Sequence, residues 1–240
     1  MTSSRPRSAR TTPKLRLLAI ETSTQRGSVA LLEDDRVVCL AEHDQPSAHA
    51  ERILALIEDC LRQSGWQRSG LERIAVGVGP GSFVGLRVGI ALAQGLGLGL
   101  RVPVVGVGSL RSLSEAVPSA RTERRLALLD ARRDELFAAV YAADGSELVA
   151  PSLWPRSEAR ARVEALGPGL VIVGDVASTL DLGAGSVFTG ERCFPSAERC
   201  ARIARLLDPE AWPATPHYCR GPGADLPNLP PSPLGEAGPD

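Results

Sequence analysis

The chain has 240 residues, of which 43% are hydrophobic and 23% are charged, and this composition predicts a globular fold with one large domain or two small lobes. A net charge of −1 and an aromatic content of only 4% argue against a globally basic nucleic-acid-binding surface and against a base-stacking platform. Five cysteines without a CxxC pair predict reduced, mostly buried thiols and hence a cytoplasmic protein.

The two ends of the chain differ in composition from the rest. Residues 1–13 carry basic but no acidic side chains and lack an apolar run, which predicts a disordered basic tail and no signal peptide. Residues 221–240 are half Gly and Pro, which predicts a second disordered tail.

In chain order, apolar alternation and turn residues predict a repeated pattern of strands and helices. The first copy has strands at 15–20, 27–32 and 36–41, a helix at 47–64 with Ser47 as its N-cap, a strand at 74–78 and a helix from about Leu86. A strand at 102–107 and a short helix at 109–116 follow. The second, shorter copy has strands at 126–129, 135–142, 147–150 and 170–173, and helices at 157–166 and 197–207.

This repetition predicts an α/β fold built from a duplicated βββαβα unit. We place the N-terminal lobe at 14–107 and the C-terminal lobe at 108–220. The first strand of each copy ends in a carboxylate, Glu21 or Asp130. Mg²⁺ prefers one or two carboxylates together with phosphate oxygens, so a metal-nucleotide cleft between the two lobes is one interpretation. The other is that each carboxylate is an ordinary turn residue.

Residues 74–100 are the most distinctive stretch, and they predict a strand, a glycine loop and a helix. The loop lacks both the Gly-Lys-Ser/Thr ending of a P-loop and the GxGxxG fingerprint, so a structural turn is favoured over a phosphate cradle. Gly85, Gly89, Ala93 and Gly97 recur every fourth residue and predict a buried helix that allows close contact along one face. The apolar run 88–100 is too short for a bilayer, which needs about 20 residues.

Several motifs together resemble the TsaB (YeaZ) family. They are LAIETS, GSVALLEDD, HAERIL from His49, GVGPGSFVGLRVGIALAQGL, PVVGV from Pro103, and LDAR from Leu129. The resemblance implies a two-lobed actin-like ATPase (ribonuclease H-like) fold with a shortened second lobe. It also implies a non-catalytic subunit of the bacterial complex that installs threonylcarbamoyl on adenosine next to the tRNA anticodon.

The resemblance further implies the partners. The transferase TsaD would form a heterodimer with this chain, the ATPase TsaE would join a ternary complex, and tRNA would be met through that complex. A homodimer would form when TsaD is absent, and no membrane is involved. A direct role of the basic tail in tRNA binding is a further interpretation.

Three departures from the catalytic relatives support a non-catalytic role. Ser109 and Leu113 stand where TsaD holds its metal with two histidines, so no metal site is expected. Asp175 brings a charge to a nucleotide-facing turn, and Glu21 is one methylene longer than the usual aspartate. We therefore expect no cofactor. Weak nucleotide binding in the complex is left open for a vestigial cleft of Glu21, Thr22, Ser23, Gly81, Ser82 and Asp130.

The resemblance also locates the partner interface on the helices 47–64 and 86–100. The candidate interface residues are His49, Arg52, Ile53, Leu56, Arg87, Gly89, Ala93 and Gly97. One face of each helix must also pack on the chain's own sheet, and the sequence does not decide which. For His49, a polar residue at a helix start or an interface contact is favoured over a metal ligand. The alternative function is an ATP-dependent phosphotransferase or a glycoprotease-like metallohydrolase that uses the cleft between the lobes.

Overall fold

The structure, a computed structural model, describes residues 14–45, 49–118, 122–183, 186–188 and 193–219. The predicted tails at 1–13 and 221–240 and the predicted N-cap Ser47 lie outside these residues. His49 is the first residue of a helix, but its side chain is not described.

Two five-stranded sheets form the frame of the fold. The first sheet has the order β3-β2-β1-β4-β5. Its strands are β1 (Arg16–Glu21), β2 (Gly27–Glu33), β3 (Arg36–His43), β4 (Arg73–Gly79) and β5 (Val104–Gly108). The strands β1, β2 and β3 are antiparallel, whereas β4 and β5 run parallel to β1.

The second sheet repeats this order as β8-β7-β6-β9-β10. Its strands are β6 (Arg124–Arg132), β7 (Glu135–Tyr141), β8 (Glu147–Pro155), β9 (Leu170–Gly174) and β10 (Ser186–Val187). The same pairing directions recur, with β9 and β10 parallel to β6. The predicted duplicated α/β fold with a shorter second copy is confirmed, although β10 was not predicted because two residues carry no periodic signal.

Within the described ranges, five α-helices cover the sheets. They are α1 (His49–Ser64), α2 (Phe83–Leu100), α3 (Ser109–Ser114), α4 (Ala159–Leu166) and α5 (Ala197–Ala204). Alternate residues of each strand face opposite sides of a sheet, so each sheet has two apolar faces. In the first sheet, α1 and α2 share one face with Leu18, Ile20 and Ile74. The second sheet lies between α3 and α4.

The last helix, α5, does not pack on the sheet of its own copy. Its residues Ala197, Cys200, Ala201 and Ala204 are buried against the free face of the first sheet. Arg73, at the start of β4, fixes the end of this helix, since its Nη1 donates to the carbonyl oxygens of Ala204 (2.7 Å) and Leu207 (3.0 Å). The second half of the chain therefore completes the core of the first lobe.

The glycine-rich helix α2 begins three residues earlier than predicted, at Phe83. Ser82 is its N-cap, and the Ser82 Oγ accepts a hydrogen bond from the Gly85 amide at 3.3 Å. Of the helices in the described ranges, α2 alone is long and apolar enough to cross a membrane by length and composition, and one third of it is buried inside the fold. Its packing on the first sheet identifies it as a layer of that lobe.

The prediction of reduced thiols is wrong for one pair of cysteines. Cys39 on β3 and Cys60 on α1 form a disulfide, with their Cα atoms 5.6 Å apart. Cys193, Cys200 and Cys219 are free. The prediction failed because the two bonded cysteines lie 21 residues apart in sequence, and only the packing of α1 on the sheet edge brings them together.

Candidate functional site

The predicted nucleotide-binding carboxylate Glu21 lies at the end of β1 and is completely buried. Its Oε1 accepts a hydrogen bond from the Ser23 amide at 2.7 Å, while its Oε2 has no partner in the described part of the chain. Gly77 on β4 faces the carboxyl group so closely that a Cβ there would overlap with it. Burial raises the pKa of Glu21, against an opposing effect of its hydrogen bonds to Ser23, so folding favours the protonated acid.

The other first-lobe residues of the predicted cleft bond to one another. The Thr22 hydroxyl donates to the Gly85 carbonyl at 2.8 Å, and the Ser82 amide donates to the Ser23 carbonyl at 2.7 Å. Gly81 packs directly on the Ser23 backbone, where a side chain would not fit. The glycine loop thus acts as a structural turn that joins the end of β1 to the start of α2.

Asp130, the second-lobe carboxylate, belongs to a separate cluster at the ends of β6 and β9. It pairs with Arg156 at 3.1 Å and accepts a hydrogen bond from the Arg132 amide at 3.0 Å. Burial alone would raise the pKa of Asp130, but these two hydrogen bonds outweigh it and lower the pKa. Burial raises the pKa of the neighbouring Asp175 to about 6, and its Oδ1 accepts from the Asp130 amide at 3.2 Å.

Ser109 and Leu113, the two positions for which the family resemblance implied the loss of metal-binding histidines, are occupied by packing residues. Ser109 is completely buried, and its Oγ accepts a hydrogen bond from the Gly79 amide at 3.1 Å. Leu113 is completely buried in the core between α3 and the second sheet. Within the described residues, no three His, Cys, Asp or Glu side chains come together as a group that could hold a metal ion.

Four of the predicted interface residues face inwards, which corrects that prediction. Gly89 lies against the Thr22 side chain and Gly97 against Val104, and neither site has room for a Cβ. Ala93 and Ile53 are completely buried. The small-residue face of α2 therefore gives close contact to the chain's own sheet, so it is not available to a partner.

The outer face of α2 is apolar and exposed. Val84 is 67% exposed and Leu98 is 84% exposed, and the space beside Gly95 and Gly99 is open. From α1, Leu54 is exposed too. Two predicted interface residues, Arg52 and Arg87, are exposed, and the predicted Leu56 is half-buried.

A compact aromatic cluster marks the N-terminal end of this face. The Arg87 guanidinium lies 3.8 Å over the centre of the Phe83 ring, and its Nε donates to the Tyr218 hydroxyl at 3.2 Å. The rings of Phe83 and Tyr218 lie 5.4 Å apart at a tilt of 36°. The sequence analysis missed Phe83 because it started the helix too late, and it missed Tyr218 because nothing in the sequence links that residue to α2.

The chain is similar in sequence and in fold to known proteins. The family model of TsaD, a tRNA N6-adenosine threonylcarbamoyltransferase, matches residues 44–153. The Escherichia coli tRNA threonylcarbamoyladenosine biosynthesis protein TsaB is 40% identical over 131 residues, which are 54% of this chain and 56% of that protein. An uncharacterised Mycobacterium bovis protein is 34% identical over 160 residues, which are 66% of this chain and 71% of that protein.

The solved structure of YeaZ from Pseudomonas aeruginosa superimposes with a TM-score of 0.70 at 29% sequence identity, covering 85% of this chain and 99% of that one. The chain belongs to the TsaB/YeaZ family. Its sequence match spans about half the length of the curated E. coli relative. The superposition covers both sheets of the TsaB/YeaZ fold described above.

Proposed function

We propose that this TsaB-family chain takes part in tRNA threonylcarbamoyladenosine biosynthesis as a non-catalytic subunit that docks on the transferase TsaD. In this proposal TsaE joins the heterodimer, tRNA is met through the complex, and the chain works in the cytoplasm without a cofactor of its own. One observation carries the proposal, namely that most of the apolar helix α2 is left uncovered by its own fold.

The uncovered face needs a protein partner of matching character. Only one third of α2 is buried, and Val84 and Leu98 are among the most exposed large apolar side chains in the described residues. Large apolar side chains that are exposed on one helix face are typical of an interaction site. Gly95 and Gly99 carry no side chain on that face, so another helix can approach the backbone of α2 closely.

TsaD is a suitable partner for the exposed face of α2 because the TsaD family model matches residues 44–153, a range that contains both α1 and α2. TsaD proteins therefore carry a helix pair similar to this one. Two similar helix pairs can pack around a pseudo-twofold axis, with each pair covering the apolar face of the other. A second copy of this chain can use the same geometry, which accounts for a homodimer when TsaD is absent.

The filled first-lobe cleft supports a non-catalytic role. Glu21 is buried, Thr22 and Ser23 are bonded to the glycine loop, and the positions where the resemblance implied a loss of histidines hold the packing residues Ser109 and Leu113. A phosphotransferase or a metallohydrolase would need these groups to face its substrate. No observation in the structure favours that alternative.

The proposal predicts that Leu98→Arg abolishes the complex with TsaD. A charged side chain in the centre of an apolar helix contact loses the burial of Leu98 and leaves a desolvated cation, which costs several kcal/mol by order of magnitude. The measurement is size-exclusion chromatography with light scattering on an equimolar mixture with purified TsaD.

The matched control is Leu206→Arg, since Leu206 is 73% exposed but lies after α5, away from α1 and α2. The control should keep the heterodimer of the wild-type protein. If the wild-type protein and TsaD elute separately, or if Leu98→Arg forms the heterodimer as well as the control does, docking through α2 is wrong.

A further inference from the structure

The aromatic cluster at the N-terminal end of α2 contains a cation, Arg87, that pairs with no carboxylate in the part of the chain that the structure describes. Arg87 is the only charged residue in α2 and lies in its second turn, where the helix dipole gives a cation no support. Among the described residues, no carboxylate forms an ion pair with it. A guanidinium has five N–H donors, and the Tyr218 hydroxyl takes only the one on Nε.

The cluster holds the Arg87 guanidinium in one orientation before any partner arrives. The Phe83 ring lies under its plane at 3.8 Å, and the Tyr218 hydroxyl fixes its Nε edge at 3.2 Å. The two Nη groups therefore remain exposed, while the fold already holds the side chain in one orientation. This planar pair of Nη groups, here called the Arg87 fork, suits bidentate pairing with a carboxylate. Its fixed orientation reduces the entropy lost on binding.

Tyr218 is itself held by a segment that returns from α5 to the first lobe. The Gly106 amide donates to the Trp212 carbonyl at 2.9 Å, and the His217 amide donates to the Val78 carbonyl at 2.7 Å. The Gln94 side chain of α2 donates to the Ala214 carbonyl at 3.0 Å. The segment 212–218 therefore lies beside β5 and α2 and forms one edge of the outer face.

We infer that the Arg87 fork, presented by Phe83 and Tyr218, recognises a carboxylate on the docking helix of the transferase partner. The C-terminal segment is then a part of the docking surface, because it positions the fork. The apolar residues Val84 and Leu98 supply burial at such an interface, while a desolvated ion pair at its edge fixes the register of the two helices. This inference rests on the proposed function, since it specifies the chemistry of the TsaD surface that meets α2.

The test measures the dissociation constant of the complex between the full chain and purified TsaD, at low and at physiological ionic strength. Arg87→Met keeps most of the apolar stem and removes the fork, and it should weaken binding by about 30-fold or more while reducing the salt dependence. Arg87→Lys keeps the charge without the fork and should recover only a part of this loss. Tyr218→Phe keeps the ring but loses the hydroxyl that orients the fork, and it should weaken binding severalfold.

Arg162→Met is the matched control, because Arg162 also lies over an aromatic ring, Trp154 at 5.4 Å, but is already paired with Glu158 in the second lobe. Its dissociation constant should equal that of the wild-type protein. If the wild-type protein binds TsaD and Arg87→Met binds within about twofold of it, the inference is wrong while the proposed function stands. If the wild-type protein does not bind TsaD at all, the proposed function fails and the inference fails with it.

Discussion

At the scale of single residues, buried carboxyl groups show that the free-energy cost of carrying a charge depends on the surrounding groups. Glu21 and Asp175 both have pKa values raised by burial, but only Asp175 lies within reach of a second carboxylate, Asp130. Asp130 keeps its charge because Arg156 pairs with it. At the equivalent ends of β1 and β6, the pKa is therefore raised for Glu21 and lowered for Asp130.

The raised pKa of Asp175 predicts a pH-dependent gain in stability for Asp175→Asn. Below the ordinary aspartate pKa of 3.8, the carboxyl is protonated in both the folded and the unfolded state, so the variant gains nothing from losing a charge. As the pH rises from 3.8 to about 6, the unfolded chain ionises Asp175 while the folded protein keeps it protonated, so the stability of the wild-type protein falls relative to the variant.

The stability difference should therefore grow by roughly 3 kcal/mol between these two limits and then level off. Urea unfolding of both proteins across this pH range measures it. A stability difference for Asp175→Asn that is the same at both ends of the range would contradict the assigned environment of Asp175.

At the scale of elements, α2 has small residues on two faces, and only one of them packs on the sheet. Gly89 lies against Thr22, whereas the space beside Gly95 is open. This difference predicts opposite effects of the same substitution in one helix. Gly95→Ala should stabilise the protein by about 1 kcal/mol through helix propensity, while Gly89→Ala should destabilise it by about 2 kcal/mol because its methyl group overlaps the Thr22 hydroxyl.

Thermal unfolding with calorimetry of the two alanine variants measures this pair of effects, and each variant serves as the control for the other. Equal effects of the two substitutions would mean that α2 is not seated on the sheet through its Gly85–Gly97 face.

The same helix shows what the sequence could and could not predict. The spacing of Gly85, Gly89, Ala93 and Gly97 correctly predicted a buried and closely packed face, although the expected neighbour was another helix. It could not say whether the contact was with the sheet or with a partner, because the deciding groups, Thr22 and Val104, are distant in sequence. The strand pattern predicted both sheets well, since alternation is a local signal, whereas the Cys39–Cys60 bond and the position of α5 depend on long-range packing.

For the candidate site, local patterns located the functional elements better than the functional side chains. The predicted cleft residues are adjacent in the first lobe, but several of their polar groups bond to one another or to the glycine loop, which only the fold reveals. Arg87 was predicted at the interface and is exposed, whereas Phe83 and Tyr218 were missed. The link between Tyr218 and Arg87 spans 131 residues of sequence, and no periodicity extends that far.

At the scale of the whole molecule, two arginines at the first residues of strands hold two helices by their C-terminal carbonyls. Arg73, at the start of β4, binds the end of α5, and Arg124, at the start of β6, binds the Leu166 and Pro168 carbonyls at the end of α4 at 2.8 and 2.9 Å. The first contact joins the two halves of the chain, while the second is internal to the second lobe. We therefore expect loss of the Arg73 contacts to weaken the packing of α5 on the first lobe, and loss of the Arg124 contacts to affect α4 within the second lobe.

Arg73→Met should lower the free energy of unfolding by about 2 kcal/mol, since charge-assisted hydrogen bonds to the α5 carbonyls are lost. Native-state hydrogen exchange should then show faster exchange in α5. Arg124→Met should cost a similar amount but speed exchange in α4 and leave α5 protected. Unchanged protection of α5 in Arg73→Met would show that Arg73 does not hold the helix.

The packing of α5 on the first sheet also sets an order of events during synthesis. The face of that sheet formed by Leu17, Ala19, Ala75 and Val105 leaves the ribosome early, but its cover at residues 197–204 is translated almost a hundred residues after β5. For that interval the nascent first lobe exposes an apolar surface that is a natural target for chaperones. The lobe that is made first is thus finished last, and a chain stopped before α5 would be left with a permanently open core.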